Sequence, residues 1–354
     1  MTIDHIAPSE MVADRGSTYV RDETNPFETL QTTALGYSLS RCLHVVADLG
    51  VADHLDVDHR SVTELAVDVG AHPNALIRVL RLLAAHGIFQ MQGEAVRHSP
   101  ASELLRTNHP QSMRTFVRLF GFPVIWDVYE SFEQSVRTGL PATSQILPGG
   151  FFPYLAQHPD EAAVFDDAMA AKAQSHIAGI LATYDFSRFK RIADIGGGRG
   201  HLLSAVLDAN TSTTGVLFEL SRVIEQAVGM ASDRVMLQAG DFFQDTLPTC
   251  DAYLLMEVIH DWNDDEAVAI LQAVRRAAPE GATLLVIEQM IPEEPGPAWT
   301  KMLDILMLAL LGGRQRSRRE YARLLEQSGF VLDREIMIPG DLSILEASAA
   351  QVVE

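Results

Sequence analysis

The chain has 354 residues, 47% hydrophobic and 21% charged, a mix that argues against a wholly disordered, fibrous or collagen-like protein. Basic residues number 27 and acidic residues 47, leaving a net charge of −20 and a pI near 4.9; this disfavours non-specific binding to nucleic acid or anionic lipid. Two cysteines, Cys42 and Cys250, supply neither a disulfide framework nor a Cys-rich zinc site, and a length prior of one domain per ~150 residues suggests about two domains.

Residues 1–24 are polar and acidic, with no apolar segment of the signal-peptide kind, and read as a loose tail. The longest apolar stretch, Ile305 to Leu311, is seven residues long. A membrane-spanning helix needs ~20, so the expectation is a cytoplasmic protein without a membrane partner. Helical periodicity starts near Phe27 and continues through Leu35, Leu39, Leu43, Val46 and Leu49, with Gly50 as its C-terminal cap. Ser61-Val-Thr-Glu64 has capping-box spacing for a short helix ending at Gly70. Pro73 opens another helix, whose face is marked by Leu76, Val79, Leu80 and Leu83. Two short strands follow around a turn at Gln92-Gly93-Glu94. Helix, helix, helix and hairpin make a winged-helix pattern. Its last helix offers only Asn74, Arg78 and Arg81 to a DNA groove in a strongly acidic chain, so dimerisation or packing is preferred to DNA binding.

Residues Gln111 to Tyr184 read as mostly helical, with a turn-rich loop from Gly139 to Gly150 and a helix start at Pro159-Asp160-Glu161. After Arg191 short apolar runs alternate with helical stretches. Strands are expected at Ile192–Ile195, Gly215–Phe218, Val235–Ala239, Tyr253–Ile259 and Ala282–Ile287. Helices are expected near His201–Asp208, Arg222–Val228 and Asp264–Ala278. This is the grammar of an open, parallel α/β sheet, which binds ligands at the carboxyl ends of its strands. Phe330–Met337 and Leu342–Ala347, joined by a Pro-Gly turn, read as an antiparallel pair at the sheet's end.

Each expected strand ends in a chemically useful group. The first runs into Asp194-Ile-Gly196-Gly197-Gly198-Arg199-Gly200, where glycines and a helix N-terminus let a ligand press on the backbone. The glycine spacing departs from the dinucleotide fingerprint, since His201 holds its last position. Glu219 ends the second strand, where a carboxylate can accept hydrogen bonds from ribose hydroxyls. Asp241 and Phe242 follow the third, suited to an adenine amino group and ring. His260 follows the fourth, with a side chain able to take a proton near neutral pH. Glu288 ends the fifth and is placed to orient that imidazole. The bland alternatives are a plain turn, exposed acids and a packing histidine; four glycines in five residues and the shared rim favour a nucleoside site beside a base.

Asp194 to Gly200, Gly240-Asp-Phe-Phe243, His260-Asp-Trp262 and Gly312-Gly-Arg-Gln-Arg-Ser317 together resemble the plant caffeate-type, class I S-adenosylmethionine-dependent O-methyltransferases, most closely the bacterial branch acting on aromatic and polyketide natural products. The similarity runs from about Phe27 to Ala347. It implies a Rossmann-like seven-stranded methyltransferase sheet with an antiparallel last strand. Residues 25–110 would form a winged-helix dimerisation domain, and 111–354 a methyltransferase domain with a helical linker. The resemblance further implies a homodimer, S-adenosylmethionine as cofactor, no metal, and a small hydroxylated acceptor. Gly196 would serve the cofactor's methionine part, Glu219 its ribose, and Asp241 and Phe242 its adenine, with Gly198 a further cofactor-binding residue of the loop. His260 would be the general base and Glu288 its orienting acid.

Three positions depart from the pattern: Glu219-Leu-Ser221 stands for the commoner Asp-Leu-Pro, Met256 for a lysine, and Gln315 for a glutamate that would support the histidine from its second side. The last leaves open a same-fold tailoring enzyme that binds the cofactor but catalyses hydroxylation or another non-methylating step. Apolar residues Phe151, Phe152, Met169, Trp262, Met302, Leu303 and Met307 read equally as acceptor pocket or core. The run Arg314, Arg316, Arg318 and Arg319 reads as a solvated helix start.

Overall fold

A computed structural model describes residues 25–339 and 342–350. The expected tail at 1–24, and Gly340 of the Pro-Gly turn, lie outside the described residues. The first periodic segment forms two helices, Pro26–Ala34 and Gly36–Asp48, broken at Leu35. Pro26–Ala34 buries none of its residues against its own chain; Phe27 and Leu30 are largely exposed. Helices Val62–Asp68 and Pro73–Ala85 then pack with a three-stranded antiparallel sheet of β1 (Arg60–Ser61), β2 (Phe89–Gln92) and β3 (Ala95–His98), in the order β1-β3-β2. The capping box expected at Ser61 does not form. Ser61 pairs with Ala95 in the sheet, and the Val62 N–H goes to the Glu94 carbonyl, so the strand holds the backbone that a cap would have used. Leu65, Leu80, Leu83 and Val96 close a small core of their own, each side chain contributing on the order of 1.5–3 kcal/mol by leaving water.

The expected loop at 139–150 contains one helical turn, Thr143–Ile146. It is pinned where the Ala142 N–H and the Thr143 hydroxyl donate to the carbonyls of Ala309 and Leu310. Beyond it a long helix, Pro159–Thr183, begins at the expected proline.

The second sheet has seven strands: β4 (Arg191–Ile195), β5 (Thr214–Glu219), β6 (Val235–Ala239), β7 (Ala252–Met256), β8 (Thr283–Gln289), β9 (Phe330–Ile338) and β10 (Leu342–Ala349). Their spatial order is β6-β5-β4-β7-β8-β10-β9, with β10 antiparallel to both of its neighbours. The continuous apolar runs of β4, β5 and β7 follow from burial on both faces: Ala193, Val216 and Tyr253 pack into one core, Ile192, Leu217 and Leu254 into the other. The chain starts the sheet at β4, moves out to β6, then returns to β7 on the opposite side of β4. That reversal opens a crevice at the carboxyl ends of β4 and β7.

One strand is shorter than expected. β7 stops at Met256, and Ile259–Asp261 forms a 3₁₀ turn rather than continuing extended. Glu257 switches the direction of the chain with φ +53°, the left-handed region that non-glycine residues rarely enter. No helix among the described residues is long and apolar enough to cross a membrane.

Candidate active site

Five neighbouring parallel strands deliver the expected residues to one rim. In spatial order these are Asp241 and Phe242 after β6, Glu219 closing β5, the glycine loop after β4, His260 after β7 and Glu288 near the end of β8. The loop turns through positive φ at Gly196, Gly198 and Gly200 before the helix His201–Ala209. Gly197 is a close approach: a Cβ there would overlap the Asp194 carboxyl. At Gly198 a Cβ would meet nothing, so that backbone faces open space.

Two acids lie behind this opening. Asp194 is buried in β4, its oxygens without a well-formed hydrogen bond and the Leu203 N–H leaning toward them; burial, and then the charge of Glu219, push its carboxyl up to about 7. Burial likewise raises Glu219 to about 7, against the Leu220 and Gly198 N–H groups that favour its anion. Such a recess suits a ligand that brings a cation and hydroxyl donors. An adenosyl sulfonium has both, so these residues fit that cofactor.

On the next strand, Phe242 lies beside the loop, its ring 3.8 Å from where a Gly196 Cβ would stand and 5.6 Å from the Trp262 ring. The Asp241 carboxylate accepts from the Phe243 N–H and the Gln244 amide, which shapes the turn itself.

His260 and Glu288 form a close buried pair on the rim. The imidazole Nδ1 is 2.5 Å from Glu288 Oε2, and Glu288 Oε1 accepts from the N–H groups of Ile259 (2.9 Å) and His260 (3.2 Å). Both side chains are buried, at 5% and 0% exposure. Asp261 Oδ1 stands 3.3 Å from the other ring nitrogen, Nε2. Burial opposes a charged imidazole, but Glu288 and Asp261 outweigh it and lift the pKa to about 9. Asp261 is itself raised to about 6, burial and the Glu288 charge prevailing over the attraction of His260.

Several site residues lay outside the sequence reading. Asp194 and Asp261 lie within the glycine-loop and His-Asp-Trp motifs, where sequence alone assigns them no role. Lys172 comes from the long helix, and its ammonium is 2.5 Å from Glu257, both side chains nearly buried. Burial alone would raise Glu257; Lys172 reverses this and holds its carboxyl below the ordinary range. The same helix pairs Asp167 with Arg199 of the glycine loop (2.6 Å) and Asp166 with Arg222 beyond β5 (3.1 Å). One helix is thus tied to three adjacent strand ends and roofs the crevice. Helical spacing gave no sign of this, because each partner is distant in sequence.

The apolar set divides. Phe151, Leu303 and Met307 join a buried core, and Met302 points outward at 68% exposure. Phe152 stacks on Trp262 with ring centres 6.1 Å apart, which places an aromatic pair at Trp262, two residues along the chain from His260. The arginine run also divides: Arg314, Arg318 and Arg319 are exposed, whereas Arg316 is fully buried, contrary to a solvated face.

Comparison with known proteins identifies the family. Residues 129–331 match the O-methyltransferase domain family and residues 31–108 the O-methyltransferase dimerisation domain family. The chain is similar to a phenazine O-methyltransferase of Lysobacter antibioticus, at 36% identity over 319 residues, 88% of this chain and 93% of that protein. It is also similar to the aclacinomycin 10-hydroxylase of Streptomyces purpurascens, at 32% identity over 324 residues, 87% and 86% of the two chains. Among solved structures, an O-methyltransferase from neocarzinostatin biosynthesis, in complex with S-adenosylmethionine and 2-hydroxy-5-methyl naphthoic acid, superposes with a TM-score of 0.75 at 32% identity, covering 88% of this chain and 95% of that one.

Proposed function

The chain belongs to the O-methyltransferase family and uses S-adenosylmethionine, and from that premise we propose that it methylates a hydroxyl of a small aromatic or polyketide molecule, with His260 as general base. It works as a cytoplasmic homodimer, with residues 25–110 as dimerisation domain and 111–354 as catalytic domain. The uncovered apolar side of Pro26–Ala34 supports a second copy there.

The observation that carries the reading is the buried His260–Glu288 pair, set on the same rim as the glycine loop and Glu219. When bound, S-adenosylmethionine supplies an electrophilic methyl group on a sulfonium. The protein's own residues do the remainder. Gly196 and Gly198 offer backbone to the methionine part, Glu219 holds the ribose, and Asp241 with Phe242 borders the adenine. Phe152 and Trp262 present flat apolar faces to an aromatic acceptor. The Glu288 carboxylate keeps the proton on Nδ1, so that Nε2 is free to accept one from the acceptor hydroxyl. A phenol of pKa ~10 is well matched to an imidazole lifted this far. Asp261 lies against Nε2 where that hydroxyl must arrive, so acceptor binding shifts or shares this contact.

The test is incubation with methyl-labelled S-adenosylmethionine and a panel of phenols, quinols and naphthols. The expected product carries label and the mass of one added methylene. A second reading, a non-methylating tailoring step, is favoured by the similarity to a hydroxylase; an unlabelled product bearing one added oxygen would select it.

A further inference from the structure

Arg316 has no solvent-exposed surface, yet its one carboxylate partner, Asp264, has a side chain that is 56% exposed. A guanidinium is costly to bury, and an apolar side chain of similar volume would fill the space more cheaply. All five of its N–H groups are committed. Nε and one Nη2 hydrogen donate to Asp264 Oδ1 at 2.9 and 2.7 Å. The other Nη2 hydrogen donates to the Trp262 carbonyl at 2.8 Å, and Nη1 donates to the carbonyls of Ile259 at 3.0 Å and Arg314 at 3.4 Å. The Tyr321 ring lies 6.0 Å from the guanidinium carbon.

Ile259 and Trp262 bracket His260. The carbonyl of His260 itself accepts from the Arg314 N–H at 2.9 Å, while the N–H groups of Ile259 and His260 go to Glu288. A Cβ on Gly313 would overlap the His260 carbonyl, so only glycine lets the two backbones meet. The turn that carries the imidazole is therefore gripped from two sides: its amides by Glu288 and its carbonyls by the segment Gly313–Arg316.

We propose that Arg316 is a positioning residue for His260: its two-armed hold on the Ile259 and Trp262 carbonyls sets where the 3₁₀ turn places the imidazole against Glu288. The inference rests on the reading of His260 as base. Arg316 has no exposed surface to offer a cofactor or an acceptor; it acts through the turn. Lysine cannot replace it, because one ammonium on a flexible stem does not span two carbonyls in a fixed plane.

The test compares Arg316→Lys, Asp264→Asn and His260→Ala as full-length proteins, measuring kcat, its pH dependence and the affinity for S-adenosylhomocysteine. In R316K the misplaced ring is expected to lower kcat by ~30-fold or more while S-adenosylhomocysteine affinity stays within ~2-fold. The alkaline rise of kcat should also move to lower pH, as the imidazole slips from Glu288. D264N keeps the carbonyl contacts but unanchors the guanidinium, so a loss of ~5-fold is expected, and this variant decides the matter should R316K not fold. A kcat within ~3-fold of wild type in R316K, an unchanged kcat in D264N, or a loss matched by weaker S-adenosylhomocysteine binding would overturn the proposal. If H260A is inactive while R316K is not, this inference alone fails; if H260A turns over normally, the base assignment fails first.

Discussion

His260→Ala is expected to lower kcat by about 10³-fold, the middle of the range for removing a positioned base, with S-adenosylhomocysteine still bound. The imidazole has the Glu288 carboxylate on Nδ1 and Asp261 3.3 Å from Nε2, the nitrogen that the mechanism assigns to the acceptor hydroxyl. The glycine loop, Glu219 and Phe242 sit on β4, β5 and β6, separate strands that the substitution does not touch. Binding and turnover should therefore part company. Glu288 would keep the two N–H donors it now accepts from residues 259 and 260, so the fold of the turn is expected to survive. Steady-state kinetics beside calorimetry checks this; turnover within ~10-fold of wild type would remove His260 from the mechanism.

Glu288→Gln has the second large effect, and its reason is tautomeric. In the neutral ring the carboxylate keeps the proton on Nδ1, which leaves Nε2, beside Asp261, as the nitrogen able to accept one. A glutamine can retain the Ile259 and His260 amides through its oxygen, but its NH₂ then faces Nδ1 as a donor. The ring answers by carrying its proton on Nε2, where it can no longer accept one. A fall in kcat on the order of 10³- to 10⁴-fold is expected, the upper end being the loss when another orienting acid is replaced by its amide, without loss of cofactor affinity. Glu288 itself is fully buried, so no exposed surface lets water take the place of its contact with Nδ1. If E288Q retained most of its kcat, the carboxylate would be holding the turn and nothing more.

The sheet was legible because burial on both faces forces short apolar runs, and the glycines and acids at their ends follow the strand–loop rhythm. The rim residues were legible for the same reason: Glu219, Asp241, His260 and Glu288 each stand where a strand stops or is about to stop. What escaped notice was long-range. Apolar character continues past Met256, so β7 read three residues too long; only the left-handed turn at Glu257 ends it, and Lys172 from a helix some eighty positions earlier neutralises that acid. The arginines at 314–319 look alike in composition, yet three meet solvent and Arg316 meets carbonyls. Gly313 was the available clue, since a glycine ahead of a charged run marks a close backbone approach as well as a turn. The break at Leu35 left no apolar signal, because the flanking helix turns its hydrophobic side away from its own chain.

Two carboxylates, Glu288 and Asp261, hold His260 as a strong base in a buried rim. The most direct test of this is an NMR titration of the His260 ring in the ligand-free protein. The expected midpoint is about 9, with the ring deprotonating, and becoming competent to accept a proton, as pH rises through that value; E288Q should lower it. A midpoint at or below the ordinary ~6.5 would mean that burial outweighs the carboxylates, and would contradict the account.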